Sequence, residues 1–298
     1  MGGSKFLVGL VDSSGEILCS KKHHWSELSP RGVVADVKTA AHALLEANPN
    51  LKPQVMGATI PGLADPEKGI WVESSFSGIR DLPFASIMEK EFGLPVKLDN
   101  DVRACALAEY RLGCCKGIDH FVWITVSNGI GGCVFAGGKP YRGGSGNAGE
   151  IGHIIVEEGP GARLCKAGHQ GCAEVHASGQ GLAKNYISLG GRAQPGKQPP
   201  DAKAIDALAR AGDQTAIDAY KLEGLYLGRA IGAAVNLLSP DKVVIGGGVS
   251  LGFDLFWPSL EETLKTHVYQ NANPRLSVEP SLLGYNAALL GAAVLSFS

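Results

Sequence analysis

The 298-residue chain has almost no net charge, −2 with the histidines neutral. Charge therefore gives no reason to expect nucleic acid or an anionic membrane as a partner. Long apolar runs are also missing. The longest, such as Ile231 to Leu238, are too short and too interrupted to span a bilayer. The opening Met1-Gly2-Gly3-Ser4-Lys5 has no secretory apolar core, so the cytoplasm is the expected compartment. The seven cysteines are odd in number and scattered, which fits a reducing compartment better than a disulfide framework. Neither Cys-x-x-Cys nor His-x3-His occurs. No glycine turn is a Walker A loop. Gly246-Gly247-Gly248 lacks the spacing and the downstream acid of a dinucleotide fingerprint.

With 45% hydrophobic and 19% charged residues, the chain is ordinary for a soluble globular protein. Its length fits one large domain or two lobes. Phe6 to Asp12 and Ile17 to Ser20 read as a β-hairpin after a Gly turn. Arg31 to Ala47 is an amphipathic helix, and Val55 to Ile60 a buried strand. Residues 63 to 83 read as irregular and polar, with Ser74, Ser75 and Arg80 available. A short helix, Phe84 to Phe92, precedes a short apolar strand signal, Leu94 to Lys97; Leu98-Asp99-Asn100-Asp101 follow it, and a helical pattern runs from Val102 to Leu112.

The opening pattern then recurs. His120 to Val126 is a strand, Ser127-Asn128-Gly129-Ile130-Gly131-Gly132 a Gly-rich turn, and Cys133 to Ala136 and Lys139 to Arg142 are further strands. Such a duplication predicts two lobes of related design. Gly190 to Asp201 reads as a loop; Ala202 to Ala211 and Ala216 to Leu238 are helical. Lys242 to Ile245 is a buried strand ending in Gly246-Gly247-Gly248-Val249-Ser250, and Asn286 to Ser296 is a small-residue helix. Hairpins followed by βα units imply a mixed-sheet α/β fold in two lobes. The expected boundaries are residues 1–116 and 117–284, with 285–298 packing back on the first lobe.

Asn100 and Asp101 lie at the C-terminal end of a strand, where open α/β sheets place ligands. Asp101 has the chemistry to take a proton from a polyol hydroxyl. The same two residues suit a helix N-cap. Glycine turns at 2–5, 128–132 and 246–248 let backbone N–H groups approach an anion, although hairpins use glycine without any ligand. Glu150 and His153, three apart between glycines, suit hydrogen bonds to sugar hydroxyls, or form an incidental surface pair. Cys165 and Cys172, with His153 upstream and His169 between, are zinc-like in type but short of a full ligand set. Glu174 follows Cys172 and begins a helix. Cys19, Cys105, Cys114, Cys115 and Cys133 read as core or incidental, and His23, His24 and Trp25 as surface residues.

The order of these stretches resembles the ROK family (repressors, open reading frames and sugar kinases) of the actin-like ATPase superfold. The matching residues are Gly2-Gly3-Ser4-Lys5, Leu98-Asp99-Asn100-Asp101 through Ala108-Glu109, and Gly129-Ile130-Gly131-Gly132. They continue with Gly149-Glu150-Ile151-Gly152-His153, Gly171-Cys172-Ala173-Glu174, Ser178-Gly179 and Gly246 to Ser250. The resemblance implies a two-lobed, ribonuclease H-like fold and an ATP-dependent kinase of a hexose or N-acetylhexosamine, using Mg2+. It implies Asp101 as the base, with Asn100, Glu150, His153 and Glu174 on the sugar. Gly3, Ser4, Lys5, Asn128, Gly129 and Gly131 would cradle phosphates, and Gly247 and Gly248 would border adenosine. Its partners are then the sugar and ATP, without nucleic acid or membrane, and a homodimer is compatible with it.

Four departures stand out. Family members carry a strand ending in an Mg2+-placing Asp before the first Gly turn; Met1 abuts Gly2 here, so strand and Asp are expected to be missing, as is a repressor's DNA-binding helix-turn-helix. The second phosphate turn, usually Gly-Thr-Gly, is Ser127-Asn128-Gly129. The zinc motif keeps His153, Cys165 and Cys172 but has Ala167 for its middle Cys, so that either His169 stands in or zinc is lost. The Asn usual two residues after the base is Arg103. A degenerate sugar- or nucleotide-binding protein is the alternative to a kinase. A Cys/His metallohydrolase built on residues 143 to 174 lacks a third convincing ligand.

Overall fold

The computed structural model describes residues 1–74, 76–192 and 199–297. Ser75 and residues 193–198 of the expected 190–201 loop lie outside the described residues. The chain forms two compact units, Met1–Lys116 with Tyr285–Ser298, and Gly117–Gly284.

In the first unit β1 (Lys5–Val11) and β2 (Ile17–His24) form an antiparallel hairpin, followed by helix α1 (Pro30–Ala47). Ser29 caps α1 by accepting from the Gly32 N–H, and Pro30 opens it, so the helix starts where both signals place it. Strand β3 (Met56–Ile60) is followed by β4 (Leu63–Asp65), β5 (Ile70–Glu73), β6 (Arg80–Leu82) and α2 (Phe84–Phe92). Then come β7 (Val96–Asn100) and α3 (Asp101–Leu112).

Two readings of this unit need correction. Residues 63 to 83 are not irregular: β4, β5 and β6 form a three-stranded antiparallel sheet. Its strands are three or four residues long, and Trp71 in β5 is fully buried while most neighbours are not, so no sustained alternation marks them. Nor are His23 and Trp25 surface residues. Trp25 stacks on Phe6 at 4.3 Å and donates Nε1–H to the Gly2 carbonyl at 2.9 Å, and His23 stacks on Phe6 at 5.2 Å.

The second unit has a five-stranded sheet, ordered β10-β9-β8-β11-β12. It contains β8 (Phe121–Val126), β9 (Ile130–Ala136), β10 (Lys139–Pro140), α4 (Ala173–Ala177), α5 (Gly179–Ser188), α6 (Ala202–Arg210) and α7 (Gln214–Leu238). It ends with β11 (Lys242–Gly246), α8 (Phe253–His267) and β12 (Ser277–Pro280). Strand β11 runs parallel to β8 and β12, while β9 returns antiparallel to β8. The turns after β8 and β11 therefore emerge at one edge of the sheet, the edge at which open α/β sheets hold ligands. Helices α7 and α8 pack closely, since a side chain at Gly224 would strike the backbone of Phe256 and Leu260.

Helix α7 carries one polar residue inside the core. Glu223 is fully buried, and neither carboxyl oxygen has a hydrogen-bond partner among the described residues. Burial pushes its pKa well above the ordinary 4.5. The folded protein thus keeps this proton at pH values where the unfolded chain has lost it, so stability falls as pH rises above 4.5. Replacing Glu223 by Met is expected to raise stability by about 1–3 kcal/mol at neutral pH and to flatten that fall. Urea unfolding at two pH values above 4.5 measures both.

Helix α9 (Ala287–Leu295) returns to the first unit and packs on β1, β3, β7 and α3. Two glycines permit this. A side chain at Gly57 of β3 would overlap the Ala292 carbonyl, and one at Gly291 would press on the backbone of Ala104 in α3.

Candidate active site

In the first unit β3 and β7 run parallel, with Ile60 opposite Asn100. Asn100 ends β7 and caps α3: its Oδ1 accepts from the Val102 and Arg103 N–H groups at 3.0 and 3.2 Å. Its amide donates to the Gly62 carbonyl at 2.9 Å and to Asp101 Oδ1 at 3.1 Å. Of the two sequence readings of this dipeptide, the structure shows the cap, on Asn100. Asn100 is the cap, and Asp101, the first residue of α3, is a half-buried carboxylate oriented through Oδ1, which also accepts from Val102 N at 3.0 Å. Burial raises its pKa above the ordinary 3.8, while the Met1 ammonium and the Val102 N–H pull the other way. A carboxylate at a strand end, held by one oxygen and made more basic by its surroundings, has the properties of a general base.

Two residues to which the sequence reading gave no role brace this strand end. Asp99 is 3% exposed and Arg103 6% exposed, and Arg103 Nε donates to Asp99 Oδ1 at 3.1 Å. Asp99 Oδ1 also accepts from Asn100 N at 2.8 Å. The Arg103 that departs from the family pattern thus has a buried partner one turn back, and the i, i+4 spacing of opposite charges was the available signal. In the first Gly turn Gly2 N–H donates to the Lys5 carbonyl at 3.0 Å, and Gly3, Ser4 and Lys5 are exposed.

In the second unit the turn 127–129 follows β8, and Ser127 N–H donates to the Gly129 carbonyl at 2.9 Å. Gly131 continues into β9. The Ser127 carbonyl accepts from Gly179 N–H, at the start of α5, at 2.7 Å. The neighbouring turn after β11 has Gly247 at φ +90°, where glycine is favoured, and open space around the Gly248 α-carbon. Ser250 Oγ donates back to the Gly247 carbonyl at 2.7 Å. Glu174, in α4, reaches the first of these turns: its Oε2 accepts from Ile130 N–H at 3.3 Å.

Residues 149–153 lie against the start of β9. Gly149 has φ +107°, and its α-carbon faces the Gly132 backbone too closely for any side chain. This places Glu150, exposed, and His153, half-buried on a 3-10 turn, beside the strand that leaves the 127–129 turn. His153, Cys165 and Cys172 each offer one ligand atom within 4.8 Å of the others. Cys165 and Cys172 are buried, and His153 Nδ1 is a buried nitrogen with no hydrogen-bond partner among the described residues. Burial and the adjacent Cys165 sulfur push the Cys172 thiol up to about 11. His169 is exposed; its ring centroid lies 5.9 Å from that of His153, and its carbonyl accepts from Cys165 N–H at 2.8 Å.

The segment carrying these cysteines is braced by groups that sequence reasoning missed. Arg163 N–H donates to His176 Nε2 at 3.1 Å, and its guanidinium donates to Asn185 Oδ1 at 2.6 Å. Arg229 donates to the Val156 carbonyl at 2.6 Å and to Glu157 Oε2 at 3.0 Å. Burial, with the Arg163 charge, lowers the His176 pKa to about 4, so the ring is neutral at pH 7 and Nε2 can accept.

Comparison with known proteins places these residues in context. The model of the ROK family matches residues 1–297. A glucokinase of Thermotoga maritima is 32% identical over 98% of this chain and 94% of its own. The crystal structure of a ROK family glucokinase from Streptomyces griseus in complex with glucose and AMPPNP superposes with a TM-score of 0.86 at 30% identity, over 99% of this chain and 96% of that one. A ROK family transcriptional regulator, a homologue of the E. coli MLC protein, superposes with a TM-score of 0.88 at 28% identity, over 99% of this chain and 76% of that one. The fold is the mixed α/β fold of the actin-like ATPases.

Proposed function

Because this chain belongs to the ROK family, we propose that it is an ATP-dependent kinase acting on a hydroxyl of a hexose or N-acetylhexosamine. The observation that carries the reading is Asp101: a half-buried carboxylate of raised pKa at the C-terminal end of β7, oriented by Asn100. It accepts the proton of the attacking hydroxyl. Asn100, Glu150, His153 and Glu174 are the proposed sugar-binding groups. In the first unit Gly3, Ser4 and Lys5, and in the second Asn128, Gly129 and Gly131, receive ATP phosphates; Gly247 and Gly248 border the adenosine. Mg2+ enters with ATP and neutralises charge on the transferring phosphoryl group. The likeness to a glucokinase complexed with glucose and AMPPNP supports both ligands.

The test is a sugar-panel assay with ATP and Mg2+, followed by coupled ADP detection. Sugar-dependent ADP release supports the reading. Calorimetric binding of a sugar without turnover sinks it, and favours the second reading, a sugar-responsive binding protein, to which the likeness to a transcriptional regulator points.

His153, Cys165 and Cys172 fit Zn2+ as a structural ion, because two thiols and an unpartnered imidazole nitrogen face one point. Zinc there would tie the 149–153 turn to the 165–172 segment. His153 has two ring nitrogens, one for the ion and one for the sugar. The fourth position falls to His169 or water. Purified protein is expected to contain close to one zinc per chain and to melt at lower temperature after chelation, whereas Cys172→Ser loses the metal and responds no further to chelator. Elemental analysis and thermal unfolding check this independently of activity.

A further inference from the structure

The carboxylate of Glu174 lies against the turn that would take a phosphate. Its Oε2 accepts from Ile130 N–H at 3.3 Å. It also fills the space beside the Gly129 α-carbon: a methyl group there would come within 2.5 Å of Oε2, and the next two nearest atoms are also Glu174 atoms. Glycine at 129 is thus the residue that lets the carboxylate lodge against the turn. The turn is fixed on its far side by Gly179 N–H, donating to the Ser127 carbonyl at 2.7 Å. Both fixing points come from the α4–α5 segment, so Glu174 and the turn are held as one piece.

A backbone N–H hydrogen-bonded to a carboxylate is a charge-assisted pair. A phosphate bound at a glycine turn needs the same kind of donor. The two anions therefore compete for Ile130 N–H, and their like charges repel at this distance. A sugar hydroxyl donating to Glu174 would draw the carboxylate off the turn. We propose that Glu174 is a gate between the two substrates of this site: without sugar it occupies the Ile130 N–H and disfavours the nucleotide phosphate, and with sugar it releases that donor. The proposal rests on the sugar-kinase reading. It makes Glu174 responsible for coupling between sugar and nucleotide, which must be reciprocal.

The experiment measures AMPPNP affinity by calorimetry in the presence of Mg2+, first without sugar, in the wild type, Glu174→Ala and the near-isosteric Glu174→Gln. Far-UV circular dichroism and thermal unfolding show that the variants are folded. Glu174→Ala is expected to bind AMPPNP roughly five-fold or more tightly than the wild type, the lower end of ordinary coupling factors; Glu174→Gln, which loses the charge but keeps an acceptor for Ile130 N–H, is expected to fall between them. A carboxylate that merely braced the turn would give weaker AMPPNP binding on removal, and one that only held sugar would give unchanged binding; either result overturns the gate. In a second arm, glucose is expected to tighten AMPPNP binding to the wild type and to leave it unchanged in Glu174→Ala. Equal tightening by glucose in wild type and Glu174→Ala also overturns it. A wild type that binds no AMPPNP with or without glucose overturns the kinase reading itself, and the gate with it.

Discussion

Asp101→Asn is expected to lower kcat for sugar phosphorylation by about 10²–10⁴-fold, the range for loss of a positioned general base. The substitution is nearly isosteric. The Asn side chain keeps an oxygen where Oδ1 accepts from Val102 N–H, and Asn100 remains the cap of α3. Sugar KM and thermal stability should therefore change little while kcat falls. The pH profile gives a second readout. Burial raises the Asp101 pKa above 3.8, so wild-type kcat/KM should fall as pH drops through that raised value. The residual rate of the variant should lack that limb. Near wild-type turnover in Asp101→Asn would show that another group takes the proton.

Arg103→Met should act on stability more than on chemistry. It removes the guanidinium from a pair in which both side chains are almost entirely buried, 3.1 Å apart. Asp99 then loses the Arg103 guanidinium, and removing one member of a buried ion pair typically costs about 3–5 kcal/mol. Because Asp99 also accepts from Asn100 N–H, the damage should extend to the strand end that presents Asp101. Denaturant unfolding should show the loss, and restoring an apolar match with Asp99→Leu in the same chain should recover part of it. A change below about 1 kcal/mol would mean that the pair is not the brace of this strand end.

The contrast between these residues shows what the sequence makes legible. The Asp101 strand end could be read because three local signals coincide: an apolar strand, a capping dipeptide and a helical period. Its cap and base roles looked like rivals, since a linear pattern does not say which of two adjacent side chains turns back on the helix. The structure gives the cap to Asn100 and leaves the Asp101 side chain free of that duty. Arg103 looked like a mere departure from a family pattern, because its partner is defined by burial and not by composition. Strand β12 escaped because Ser277-Val278-Glu279-Pro280 is an edge strand with little apolar content, recognisable only once β11 lies beside it. His23 and Trp25 were misplaced for a related reason: Phe6, on which both stack, lies on β1 and not beside them in sequence. The three ligand-type residues at 153, 165 and 172 were legible as chemistry, but their convergence depends on how residues 154 to 171 fold back, with Ile155 paired to Cys172 and Leu164 to Gln170.

The return of α9 to the first unit has a consequence for the order of events at the ribosome. The second unit is one continuous segment, residues 117–284, whereas the first is closed by residues that emerge only after it. Until then the surface of β3 at Gly57 and that of α3 at Ala104 lack the helix they were shaped to receive. At ordinary synthesis rates that interval is on the order of ten seconds or more. The late segment, Ala-Ala-Leu-Leu-Gly-Ala-Ala-Val-Leu, is apolar on every side and has no soluble alternative to its slot. Nascent chains halted before residue 287 should therefore be the form of this protein that chaperones hold longest.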